Sequence, residues 1–167
     1  MASYVVRHSE VPTITETNVD FDTLLMKKAI GWAETDPHNV PEDWPYQLPS
    51  VSVTWVKLWR RLTRIKCTGV DRVMYIINGS CVVQVADAEP EYAEAGDYVM
   101  IPKDAEYEYT TDVLEYLVIN SPPYIKATDL RNDAIDGPPV RKGEDRWTGT
   151  SVVPSWRRQY EGQREEI

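Results

Sequence analysis

Hydrophobic and polar positions change their spacing twice along the chain, which divides it into three segments. From Asp20 to Glu34, the residues Phe21, Leu25, Met26, Ala29, Ile30 and Ala33 recur at helical spacing. Asp20 or Asp22 is available as cap and Pro37 as stop, so this stretch predicts one amphipathic helix. Pro37, Pro41, Pro45 and Pro49, with Trp44 and Tyr46 between them, then read as an extended connector that can neither prolong the helix nor pair inside a sheet. From Ser50 to Tyr124, short β-branched and aromatic runs alternate with turn chemistry: VSVTWVKLWRRLTRIK, a turn at Thr68-Gly69-Val70-Asp71, RVMYIINGSCVVQVA, an acidic loop, then YVMIP, EYEYTT and VLEYLVIN before Ser121-Pro122-Pro123. The Asn78-Gly79 step supplies the positive backbone angles of a tight hairpin. Six or more short strands at this spacing favour an antiparallel sandwich or barrel over βαβ units. Residues 125–167 are polar, with Gly137-Pro138-Pro139. A loosely ordered tail is one reading; against it, Trp147 and Trp156 are expected to mark docking spots, and Ser155 is available to cap a short helix through Trp156 and Tyr160, on an arm expected to pack on its own barrel or on a partner. The expected organisation is therefore residues 1–49 as helix and connector, 50–124 as barrel and 125–167 as C-terminal arm.

Composition narrows the class. A length of 167 residues suits one domain, and 42% hydrophobic with 27% charged residues is an ordinary globular balance. No apolar run approaches the ~18 residues of a membrane span. The first residues lack the pattern of a signal peptide, and only Cys67 and Cys81 are present, which points to a reducing cytoplasm. A net charge of −9 disfavours nucleic-acid and membrane-surface partners. One segment is inverted: residues 57–72 carry Lys57, Arg60, Arg61, Arg64, Lys66 and Arg72 against Asp71 alone.

Gly96-Asp97-Tyr98-Val99-Met100-Ile101-Pro102 has a glycine, five residues and a proline, and Arg72 to Gly79 followed by CVVQV repeats a second frame of six residues closed by glycine. Together the two frames resemble the paired motifs of the cupin superfamily over roughly Val51 to Pro123. The resemblance implies a mostly β protein, an antiparallel double-stranded β-helix or jelly-roll barrel, carrying here the N-terminal helix and C-terminal arm. It also implies where the family's metal ligands would stand, and each is replaced. Arg72 takes the glutamate position. The two histidines of the first motif fall on Lys66 and Thr68, or on Ile65 and Cys67 if the loop is one residue longer. The usual glycine after Pro102 is Asp104, the third histidine becomes Tyr107, and the terminal asparagine becomes Thr111. The chain's two histidines, His8 and His38, lie outside the barrel segment. Lysine and arginine oppose a divalent cation, so no metal and no cofactor is expected.

Strand alternation, in the absence of a bulge, puts Arg60, Leu62, Arg64 and Lys66 on one face, which the resemblance turns into the barrel. A cationic pocket follows, suited to a carboxylate, enolate or phosphate; the alternative is solvated residues pairing with the many acids. Tyr107, with Tyr109 and Thr111 on the same face, is the proton-transfer group or a core tyrosine with a satisfied hydroxyl; Met74 and Ile76 share the parity of Arg72 and form an apolar wall. Glu106 and Glu108 point away from that face. The functional expectation is a metal-independent enzyme that performs proton transfer, as in isomerisation, cyclisation or dehydration, on an anionic or carbonyl-bearing small molecule. Tyr107 would move the proton, while Lys66 and Arg72 hold the anion. Arg60, Arg64, Thr68, Met74, Ile76, Tyr109 and Thr111 would complete the binding surface. A non-catalytic ligand-binding or interaction domain, or a structural subunit docking through its tryptophans, would carry the same sequence. The aromatic residues Trp44, Tyr46, Trp147 and Trp156, with an uncovered barrel edge, point to a homodimer.

Overall fold

The computed structural model describes residues 5–18, 21–31, 40, 42–124 and 129–131. The expected C-terminal helix and the docking of Trp147 and Trp156 lie outside the described residues. Among the described residues, a 3-10 turn at His8–Glu10 precedes eight strands: β1 Ile14–Asn18, β2 Phe21–Ile30, β3 Ser52–Cys67, β4 Asp71–Val85, β5 Glu91–Glu94, β6 Tyr98–Ile101, β7 Glu106–Ser121 and β8 Asp129–Arg131. All pairings are antiparallel. No helix among the described residues is long and apolar enough to cross a membrane.

Three long strands organise the barrel. β3, β7 and β4 lie side by side, and each passes through an irregularity in register near its middle. Before the irregularity in β3 and β4, Ser52–Trp59 pairs with Val113–Asn120, which in turn pairs with Asp71–Ile76; β2 and β1 extend this front half on one side and β6 on the other. Beyond it, Arg61–Lys66 pairs with Glu106–Thr110, which pairs with Val82–Val85; β8 and β5 flank this back half. Val56, Leu58, Met74, Ile76, Leu114 and Tyr116 of the front half share one core with Ile65, Cys81, Val83, Tyr107 and Tyr109 of the back half. The sheet therefore folds over and encloses its own interior, as in a jelly roll.

The inward positions change parity across the fold line. They are even in the front half, at 52, 54, 56, 58, 72, 74, 76, 114, 116 and 120, and odd in the back half, at 65, 81, 83, 107, 109 and 111, where Val82, Gln84 and Glu108 of the opposite face are buried as well, outside the shared core. The irregularity at Arg60, exposed and at φ 75, puts its extra residue on β7, and in β3 the switch occurs later, between Leu62, which pairs with Tyr109, and Ile65, which pairs with Tyr107. In β4 it occurs at Asn78-Gly79, where Gly79 sits at φ 87 and its N–H donates to Asn78 Oδ1 at 3.0 Å. The expected hairpin at this step is thus a bulge: β4 continues through it, because β7 accompanies the strand on both sides and leaves no room for a reversal.

The expected helix over Asp20–Glu34 is also corrected. Phe21–Ile30 is a strand, paired with β1 on one side and with Trp59–Val53 of β3 on the other. Leu24, Met26, Lys28 and Ile30 alternate as well as they fit a helix, and pairing with β3 satisfies a ladder that would otherwise be an open edge. The described part of the connector packs back on this strand: Trp44 Nε1 donates to Ala29 O at 3.2 Å and Gly31 N to Tyr46 O at 3.2 Å.

Candidate functional site

Four rows of side chains cross the inner face of the front half. Leu114, Leu58 and Leu24 form the deepest, followed by Ile76, Tyr116, Val56 and Met26; next come Met74, Val118, Thr54 and Lys28, and last Arg72, Asn120 and Ser52. The gradient runs from wholly apolar to wholly polar, so charge collects at one end of the barrel. Met74 and Ile76, expected as an apolar wall, stand on this inner face at 1% and 0% exposure.

Arg72 is the centre of the polar end. It is buried, its Nε donates to Asn120 Oδ1 at 2.8 Å, and its Nη1 donates to the hydroxyl of Tyr107, which reaches across from the back half. Asn120 Nδ2 donates to Ser52 Oγ at 3.3 Å, and that oxygen also accepts from the backbone N–H of Tyr124 at 2.9 Å. The guanidinium carbon stands 5.7 Å from the Tyr107 ring and 6.0 Å from the Tyr124 ring, while Lys28 Nζ lies over the Tyr124 ring at 4.2 Å. Such planar, doubly bonded holding fixes the guanidinium in orientation.

Of the residues singled out from the sequence, the fold brings Arg72 and Tyr107 together. Tyr109 stacks on Tyr107 with ring centroids 6.4 Å apart and shares a hydroxyl contact with Tyr116 across the interior. Thr111 bonds Ser80 O at 2.6 Å, beside the β4 bulge. Arg64 and Lys66 are corrected: the parity switch between Leu62 and Ile65 gives the inward position to Ile65, 2% exposed, as the longer-loop alignment has it. Arg64 lies on the opposite face, paired with Glu106 through Nε–Oε2 at 2.9 Å and Nη2–Oε1 at 3.3 Å. Lys66 is opposite Glu106 in register on that same outer face. Arg60 and Thr68 are exposed. Asp104 holds φ 64, the backbone state for which the family keeps glycine, and its carboxylate accepts from Gly69 N at 2.9 Å.

Lys28, Ser52, Thr54, Asn120 and Tyr124 were not legible as site residues. Alternation in β2 would have exposed Lys28; the others become neighbours only through pairing of distant strands. A divalent cation does not fit this end of the barrel, because the converging groups are a guanidinium, an amide, hydroxyls and phenols, with no imidazole or carboxylate among those named. No three His, Cys, Asp or Glu side chains converge anywhere among the described residues.

Below the site, burial pushes the Tyr109 phenol well above its ordinary value of 10.0, with Tyr116 and Tyr107 adding to the effect. Burial likewise pushes the Cys81 thiol up to about 12, with Asp97 adding to it. Both shifts are upward, so the folded chain keeps protons that the unfolded chain releases. The stability these neutral groups permit is whole below the unfolded values, 9.0 and 10.0, and is lost as pH rises through them. The loss is up to about 1.4 kcal/mol per pH unit for each group. Urea unfolding from about pH 8 to about pH 11 should show a midpoint that falls steadily in the upper half of that range. A midpoint that stays constant would contradict the burial of these groups.

Neither a family model nor a curated protein sequence matches the chain. Among solved structures it is similar to Pac13 of Streptomyces, a nucleoside dehydratase, with TM-score 0.57 and 14% identity over 78% of this chain and 91% of that one. It is similar to the polyketide cyclase RemF of Streptomyces resistomycificus, with TM-score 0.56 and 16% identity over 83% of this chain and 90% of that one. KdgF from Halomonas sp. aligns with TM-score 0.54 and 14% identity over 71% of this chain and 94% of that one. At such identities the likeness concerns architecture. With the two motif frames, the folded-over antiparallel sheet and these neighbours together, the chain has the cupin fold.

Proposed function

We propose that the chain is a metal-independent enzyme of the cupin fold. It performs proton-transfer chemistry, isomerisation, cyclisation or dehydration, on an anionic or carbonyl-bearing small molecule bound at the polar end of the barrel. One observation carries this reading: a buried arginine, held in plane by Asn120, donates to the phenol oxygen of Tyr107. A guanidinium has no proton to exchange near neutrality, so Arg72 is the anion holder and stabiliser of developing negative charge. Its bond to the phenol oxygen also stabilises the charge that builds there when the proton leaves, which makes Tyr107 the proton-transfer group. Lys66, on the outer face, has no part in this mechanism; Lys28 is the lysine on the barrel's inner face. The dehydratase and the cyclase among the fold's neighbours support the class, since loss of water and ring closure are both proton-transfer reactions.

The test is to incubate the wild type and Tyr107→Phe with a small-molecule extract and follow masses. The wild type should convert at least one anionic or carbonyl compound, either with loss of one water or without change of mass. Tyr107→Phe should slow that conversion by about 10²–10⁴-fold with little effect on affinity, because it removes only the proton-bearing oxygen. Equal rates would remove Tyr107 from the mechanism.

We also propose a homodimer in a reducing compartment, with no nucleic-acid or membrane partner. Tyr98 and Met100 on β6 are 69% and 74% exposed, and register sets them beside Tyr75, Val73, Leu117 and Ile119 on the outer face of the front half. A row this apolar supports contact with a second copy. Sedimentation should find a dimer at micromolar concentration; a lone species near 19.2 kDa would contradict it.

A further inference from the structure

One group on the inner face is unused by the chemistry above. Thr54 stands on β3 between Ser52 and Val56, is 3% exposed, and its hydroxyl has no hydrogen-bond partner among the described residues. Its polar neighbours on the same face differ in this respect: Ser52 accepts from Asn120 and from the Tyr124 backbone, and Asn120 accepts from Arg72. A hydroxyl taken out of water without a partner is a loss, and valine fills the same space without it. Val118 and Val56, which adjoin it in the lattice, show that aliphatic side chains suit this face.

We propose that Thr54 is a ligand-binding residue, its hydroxyl bonding to a hydroxyl or carbonyl oxygen of the molecule whose anionic or carbonyl group Arg72 holds. This rests on the reading of the barrel as a ligand site and narrows the ligand class. The ligand carries two oxygen functions, one facing the row of Arg72 and a second facing the next row, that of Thr54. A hydroxyl near an acidic or carbonyl group is also what loss of water requires. Lys28 and Tyr124 are the partly buried side chains beside this row. Lys28 lies opposite Thr54 on β2 and over the Tyr124 ring at 4.2 Å, that ring stands 6.0 Å from the Arg72 guanidinium, and both side chains are only partly buried.

The probes are β-hydroxybutyrate and butyrate, two carboxylates that differ by one hydroxyl, titrated into methyl-labelled protein and followed by NMR. The wild type should prefer the hydroxylated probe by roughly ten-fold, about the size of one hydrogen bond. Thr54→Val should abolish that preference by weakening the hydroxylated probe alone, and its melting temperature should be unchanged or raised, because an unpartnered hydroxyl has been removed. A preference that survives in Thr54→Val, no preference in the wild type, or a clear loss of melting temperature in the variant would each overturn the assignment of Thr54 alone. Failure of both probes to bind the wild type would overturn the ligand-site reading and this proposal with it.

Discussion

Replacing Gly79 by alanine is expected to destabilise the protein by about 3–5 kcal/mol, among the largest effects of any single methyl group in the chain. A Cβ at this position would stand 2.2 Å from the carbonyl oxygen of Val113 and 3.2 Å from its carbon, both backbone atoms of the central strand. The φ of 87° is itself a state that alanine adopts at a cost of about 1–2 kcal/mol. Relief would require β4 and β7 to separate where both change from the front half to the back half. The loop before β6 is tied to the same place, since Ala95 N donates to Gly79 O at 3.1 Å and Gly96 N to Ile76 O at 2.9 Å. Urea unfolding of Gly79→Ala measures the loss. A change below about 1 kcal/mol would mean that β4 does not cross the fold line at this residue.

Arg72→Met should weaken an anionic or carbonyl ligand by about 2–4 kcal/mol, the range lost when a buried charge-assisted bond disappears. The substitution keeps much of the length and volume of the side chain and removes its five donors, so Asn120 and Tyr107 each lose a bond at the same time. The variant should therefore impair binding as well as the proton-transfer step, whereas Tyr107→Phe impairs the step alone. Isothermal titration of both variants with one ligand separates the two roles. Matching losses of affinity would show that Tyr107 acts as a binding group.

The parts of the fold legible in the sequence, with the proximity of Arg72 and Tyr107, are those governed by local chemistry. Gly96 to Pro102 and Arg72 to Gly79 fix turns and strand starts through glycine and proline, which is why Arg72 and Tyr107 could be located by counting from them. Gly96 indeed holds φ 97, and the residue at the family's next glycine position, Asp104, holds φ 64. The misread parts depend on pairing between strands far apart in sequence. Residues 21–30 satisfy both a helical and an alternating pattern, and only the presence of β3 as a partner decides between them. β3 gains one residue on β7 between Leu62 and Ile65, which no local signal in Leu62-Thr63-Arg64-Ile65 marks, and that one residue moves Arg64 and Lys66 to the outer face. Asn120, Ser52 and Thr54 come beside Arg72 and Met74 through the register of β7 with β3 and β4, which no local motif encodes.

Native mass spectrometry of gently purified protein, comparing the wild type with Arg72→Met, tests the central claim most directly. The wild type is predicted to retain a small anionic or carbonyl-bearing molecule, displaced on mild activation, and Arg72→Met, equally folded, is predicted to lose it. A wild type that carries no such molecule at any activation energy, or an Arg72→Met variant that retains it in full, would contradict the assignment of the barrel's polar end as the functional site.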